Sequence, residues 1–201
     1  MFTNKMFFGL IGIVLLFGLF AGCDSDKAIT GPADTRMAEM ARGAGNSSAP
    51  APGDASIAAI AIDAGFSELV GALVYVDEEL DAGLVNLFLE GTDQYTVFAP
   101  TNEAFEGLYE ALEIDGITDL PAELVLDVLF YHVVEGRRAA NSVVPRVRDR
   151  TITTLLGATF TVDRNGEITD IAGQKVNIIT PNISASNGII HVIDTVLLPL
   201  E

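Results

Sequence analysis

Between Thr151 and Pro199 the chain runs through four segments, TITTLLG, TFTVDRNGEITDI, KVNIITPNIS and GIIHVIDTVLLP, rich in Val, Ile and Thr and separated by turn residues. Branching at Cβ suits a pleated surface and disfavours a helix, so these segments read as strands. Asn165-Gly166 divides the second of them. Both residues tolerate positive φ, which predicts a hairpin there. Before His132 the spacing is mostly helical instead. A chain that is helical first and strand-rich last is α+β rather than alternating α/β.

The helical half begins near Asp54, which stands where a cap would precede Ile57, Ile60 and Ala61. Phe66, Leu69, Val70, Leu73 and Val74 mark a second helix after Gly65. Leu84, Val85, Leu87, Phe88 and Leu89 form a third apolar stretch, too dense to assign to one face. YTVFAP, from Tyr95 to Pro100, alternates like a buried strand and stops at proline. Thr101 or Asn102 then caps a helix whose apolar positions are Ala104, Phe105, Leu108 and Leu112. Pro121 opens another, with Leu124, Val125, Val128 and Leu129 facing inward.

The N-terminus is of a different kind. Lys5 precedes an almost unbroken apolar run, Met6 to Phe20, and Ala21-Gly22 lead into Cys23, the only cysteine. The run is short for a bilayer span, which needs about 20 apolar residues, and it suits a signal peptide. This order resembles a bacterial lipoprotein signal, with Phe20 where leucine is usual. The resemblance implies cleavage after residue 22 and acylation of Cys23, which would anchor the exported chain in a lipid bilayer. An uncleaved anchor, or a plain signal peptide with an incidental cysteine, is the alternative. Residues 23–53 are then a lipidated cysteine and a spacer, in which GAGNSSAPAPGD has nothing to bury. Residues 54–201 form the single domain.

Charge narrows the function. The formal net charge of -17 argues against nucleic acid, whose phosphates would be repelled. A lone cysteine allows neither an internal disulfide nor a cysteine-based metal site.

Three blocks carry a family resemblance: YTVFAPTNEAFEGL from Tyr95, the pair Tyr131-His132, and ASNGIIHVIDTVLLP from Ala185 to Pro199. Their order and separation resemble the fasciclin-like domain, a module of cell-adhesion and surface proteins. The resemblance implies a wedge of mixed β-sheets with helices packed alongside, no enzymatic activity and no cofactor. It also implies adhesion by surface contact, through an extracellular matrix polymer, glycan or surface protein. Within its motifs Thr101 converts strand into helix, Gly188 permits a tight turn, and Tyr131, His132 and His191 are structural.

Catalytic and metal readings of the same residues are weak on geometry. Ser186, His191 and Asp194 invite a triad. On one strand, however, side chains three apart point to opposite faces, so Asp194 cannot orient His191. Asp77, Glu78, Glu79 and Asp81 could offer oxygens to calcium, but helical neighbours fan apart and no EF-hand loop is present. A hydrated acidic face is the simpler account. Arg137, Arg138, Arg146, Arg148 and Arg150 form the contrasting basic stretch and are the candidate partner-binding residues. The sequence thus points to an envelope protein, exported and facing the periplasm or cell exterior. Its alternatives are a small-ligand or sensor module with a cavity beside Phe105, Leu108 and Phe130, or a self-associating structural protein.

Overall fold

A computed structural model describes residues 50–199; the expected signal peptide, Cys23 and most of the spacer lie outside these residues. Three helices come first: α1 (Ile57–Asp63), α2 (Ser67–Leu80) and α3 (Leu84–Glu90). Strand β1 (Tyr95–Pro100), helix α4 (Asn102–Leu112), a 3-10 turn at Ile117–Asp119 and helix α5 (Ala122–Tyr131) follow. Then come β2 (Val133–Glu135), the single turn α6 (Ala140–Val143), β3 (Arg150–Thr153), β4 (Thr159–Val162), β5 (Glu167–Thr169), β6 (Lys175–Ala185) and β7 (Gly188–Ile193). No helix among the described residues is long and apolar enough to cross a membrane.

The class is α+β, and all seven strands join one sheet in the order β2-β1-β7-β6-β5-β4-β3. The early strand β1 lies parallel to the last one, β7, from Tyr95↔Gly188 to Pro100↔Ile193. The remaining neighbours are antiparallel. Leu155, just past β3, donates its N–H to the carbonyl of Val133 in β2, so the two outer strands approach and the sheet nearly closes. Every residue of β7 is buried, which a strand covered on both faces requires.

Alternation along β1 divides the core. Val97 and Ala99 face the helices, where they meet Leu73, Phe88, Phe105, Val125 and Leu129. Phe98 faces the enclosed side of the sheet, with Tyr131, Ile152, Phe160, Val176 and Ile193. The Phe98 and Phe160 rings meet edge-on at 5.1 Å, a favoured aromatic geometry.

Several local readings require correction. Ser56, not Asp54, caps α1, its side chain accepting the Ala59 N–H. Pro121 sits just ahead of α5 rather than within its first turn. Val74 and Leu112, which belong to the apolar spacing of α2 and α4, are exposed. At Asn165-Gly166 only Gly166 adopts positive φ, at 86°. The hairpin there closes instead through the Asp163 side chain, which accepts the N–H groups of Asn165 and Glu167. The short β2 and α6 between His132 and β3 were not foreseen, being too brief for a periodicity to show.

Gly188 serves close approach rather than a turn. A Cβ there would overlap the Tyr95 carbonyl oxygen and the Ile57 side chain. The turn itself is Ser186-Asn187, between the paired residues Ala185 and Gly188.

Candidate functional site

The two histidines belong to the frame. His132 ends α5 and is almost wholly buried. Its Nδ1 lies 2.7 Å from the Val128 carbonyl, and its Nε2 lies 3.0 Å from the Leu197 N–H. A carbonyl only accepts and an N–H only donates, so the proton sits on Nδ1 and Nε2 accepts. Burial pushes its pKa down to about 4, against a smaller opposing effect of the Val128 bond. His191 repeats the logic from β7 with the other tautomer. Nε2–H donates to the Arg138 carbonyl at 2.9 Å, and Nδ1 accepts the Asn182 N–H at 3.3 Å. Burial lowers its pKa as well. Both rings are neutral and both nitrogens of each are occupied, so neither has a lone pair free to take a proton from a nucleophile.

Asp194 binds the Asn177 backbone N–H and side-chain amide, each at 2.8 Å, rather than His191. Tyr131 donates its hydroxyl to the Thr159 carbonyl and accepts the Ile171 N–H, and burial raises its pKa. Thr101 caps α4 by accepting the Ala104 N–H, while Asn102 turns back to the Gly65 carbonyl and the Glu68 N–H. The Tyr131-His132 pair therefore splits its tasks. Tyrosine secures the strand-lined core, and histidine secures the closing segment at Leu197.

The acidic cluster on α2 is dispersed by function. Asp77 accepts the N–H groups of Leu84 and Val85 at 2.7 and 2.8 Å, capping α3 across the intervening turn. Among the described residues no group of three His, Cys, Asp or Glu side chains could hold a metal ion.

The five candidate arginines do not act as one patch. Arg137 is spent within the molecule: its guanidinium donates to the carbonyls of Pro50, Ala51, Ala185 and Gly188 and to the Ser184 hydroxyl. This staple draws residues 50–53 onto the β6–β7 turn, where the Gly53 N–H also bonds to the Ala185 carbonyl. Packing thus reaches back past Asp54 to Pro50. Arg150 donates to the Ser142 carbonyl and Arg138 to that of Glu135. Arg146 and Arg148 stand exposed. Arg146 borders an open concavity of about 540 Å³ together with Val144, Pro145, Arg164 and Asn165.

Two residues here escape sequence reasoning. Arg164 reaches the concavity because the Asp163–Gly166 turn brings it beside the α6 loop; its position in DRNG was the available signal. Asn187 is buried, with Oδ1 accepting the Ile57 N–H and Nδ2 donating to the Phe88 carbonyl. It ties the turn before β7 to α1 and α3.

The cavity proposed beside Phe105, Leu108 and Phe130 does not form as one space. Phe105 and Leu108 border an apolar void of about 50 Å³, and Phe130 borders another of about 30 Å³. Ligand pockets for drug-sized molecules run to roughly 300–1,000 Å³.

Residues 64–199 match the family profile described as Fasciclin domain. The chain is 36% identical over 115 residues to transforming growth factor-beta-induced protein ig-h3 of Sus scrofa, covering 57% of this chain and 16% of that protein. It is 32% identical over 150 residues to protein sll1483 of Synechocystis sp., covering 73% and 76%. It is 37% identical over 120 residues to the cell surface glycolipoprotein MPB83 of Mycobacterium bovis, covering 59% and 49%. The chain thus spans a small part of the first relative, most of the second and about half of the third. With the closing Ala185–Pro199 block seated at the centre of the sheet and the profile running through most of the described residues, the chain belongs to the Fasciclin domain family.

Proposed function

We propose that this chain is an exported, non-enzymatic adhesion module, anchored in a bilayer through acylated Cys23, that binds an acidic extracellular polymer or surface protein. Its contact surface is centred on the exposed Arg146 and Arg148, joined by exposed Arg164. One observation carries this reading: the two histidines are buried and doubly bonded, whereas Arg146 and Arg148 are left on the surface, and Arg146 borders an open concavity with Arg164. A guanidinium offers paired donors that match carboxylate or sulfate groups, as polyanion recognition requires. Kinship with a cell surface glycolipoprotein supports export and anchoring. The small interior voids weigh against a small-ligand sensor.

The test uses the full chain produced in a bacterial host and displayed on its membranes. Membranes carrying the chain should retain a uronate-rich polysaccharide and release it as salt rises, while a neutral polysaccharide is not held. Replacing Arg146, Arg148 and Arg164 with Ser should weaken retention about tenfold or more. Cys23→Ala should move the chain out of the membrane fraction. Retention that ignores both salt and the arginines would overturn the contact surface, and a membrane-bound Cys23→Ala variant would overturn the anchor.

A further inference from the structure

Two exposed apolar features are complementary. Val147, 82% exposed, stands on the loop between α6 and β3 with exposed Arg146 and Arg148 on either side. No carboxylate among the described residues pairs with either arginine. The loop is held at its base, since Pro145 is buried and Arg150 bonds the Ser142 carbonyl. The result is an apolar knob between two cations.

The second feature is a groove of about 540 Å³ along α1 and α2, bordered by Ile62, Phe66, Val70, Gly71, Val74 and Glu78. Ile62 is 59% exposed and Val74 40% exposed, so the apolar surface is open to water. Gly71 lies inside α2, where glycine is the least favourable residue after proline. Nothing lies within 4 Å of where its Cβ would be, and its φ is not positive, so neither packing nor backbone geometry requires glycine there. Its effect is to keep the groove unobstructed. The surrounding charge is of one sign: from Asp54 to Glu135 the sequence has eighteen Asp and Glu and no Lys or Arg.

We infer that the Arg146-Val147-Arg148 loop of one copy docks in the α1–α2 groove of a second copy. Val147 covers the apolar floor, and the arginine stems lie along its walls with their guanidinium groups toward Glu78 and the acidic surface. The chain itself carries both halves of the contact, and tethering to one bilayer would raise their effective concentration. The inference deepens the proposed function and rests on it for the contact role of Arg146 and Arg148.

Sedimentation equilibrium of the full chain in density-matched detergent tests it. The mass of the wild type should rise with concentration and fall back on adding salt. Val147→Asp spoils the knob, and Gly71→Lys fills the groove with a charge like that of the knob, at a helix position where a Cβ meets nothing within 4 Å. Each should weaken association at least about tenfold, and circular dichroism should show both folded. Mixed together they should associate again, because each retains the half that the other lacks. A monomeric wild type at every concentration, or a mixture that stays monomeric, overturns the inference. Gly71→Lys also separates the two readings. If it loses self-association yet keeps salt-sensitive polysaccharide retention, the polymer contact stands apart from self-docking. If the wild type shows neither, both fall.

Discussion

At the scale of single residues, the fold depends on polar groups placed where they have no choice of partner. His132 is the sharpest case. Its unfolded pKa is near 6.5 and its folded pKa is about 4, so the unfolded state binds the proton more readily. The neutral ring therefore contributes stability that is full above about pH 6.5 and is lost as pH falls towards 4. A shift of this size corresponds to roughly 3 kcal/mol. Urea melts of wild type and His132→Gln across that range should show the wild type losing more stability than the variant. Equal slopes would mean that the ring is not held neutral by burial. The Tyr131-His132 pair was legible as a motif in the sequence, but its bonds were not. The partners Val128, Leu197, Thr159 and Ile171 are set by the tertiary fold, and nothing in local spacing announces them. Arg137 shows the same limit in reverse. Beside Arg138 it reads as surface charge, yet its acceptors lie more than 40 residues away in either direction along the chain.

At the scale of elements, helices were found by periodicity and misjudged at their ends. Thr101 was anticipated as a cap because the chain turns from strand to helix there. Asp77 reads in the sequence as part of an acidic cluster, because a carboxylate seven residues ahead of the helix it caps lies outside any local capping pattern. Its two bonds satisfy N–H groups that α3 leaves unpaired at its start, and N-terminal placement favours a negative charge. Asp77→Ala should therefore cost about 2 kcal/mol in chemical denaturation, whereas the exposed neighbour Glu79→Ala should change stability by less than about 0.5 kcal/mol. Similar losses for both would return Asp77 to the role of an ordinary surface acid. The strands were easier to read, since Val, Ile and Thr mark them in short runs. Their pairing was harder. That β1 joins β7 in parallel follows from the whole core, and the overlap that forbids a Cβ at Gly188 exists only once that pair has formed.

At the scale of the molecule, charge is distributed very unevenly, with a formal net charge of -17 and every Lys and Arg after Arg42 lying at or beyond Arg137. Like charges repel within the helical half, and salt screens them over a Debye length that falls from about 30 Å at 0.01 M to about 8 Å at 0.15 M. Sodium chloride should raise the melting temperature over that interval by about 3 °C, the equivalent of about 1 kcal/mol in a domain of this size. Choline chloride should act equally, and an excess effect of calcium would instead point to a bound cation. The staple at Arg137 has a mechanical consequence. A pull arriving from the N-terminal side of Pro50 does not peel α1 away first. It meets the guanidinium bonds at Pro50 and Ala51 and the Gly53–Ala185 bond together, and these hand the load to the turn of β6 and β7 at the middle of the sheet. The first helix is thereby sheltered from the force, and a fully buried strand receives it.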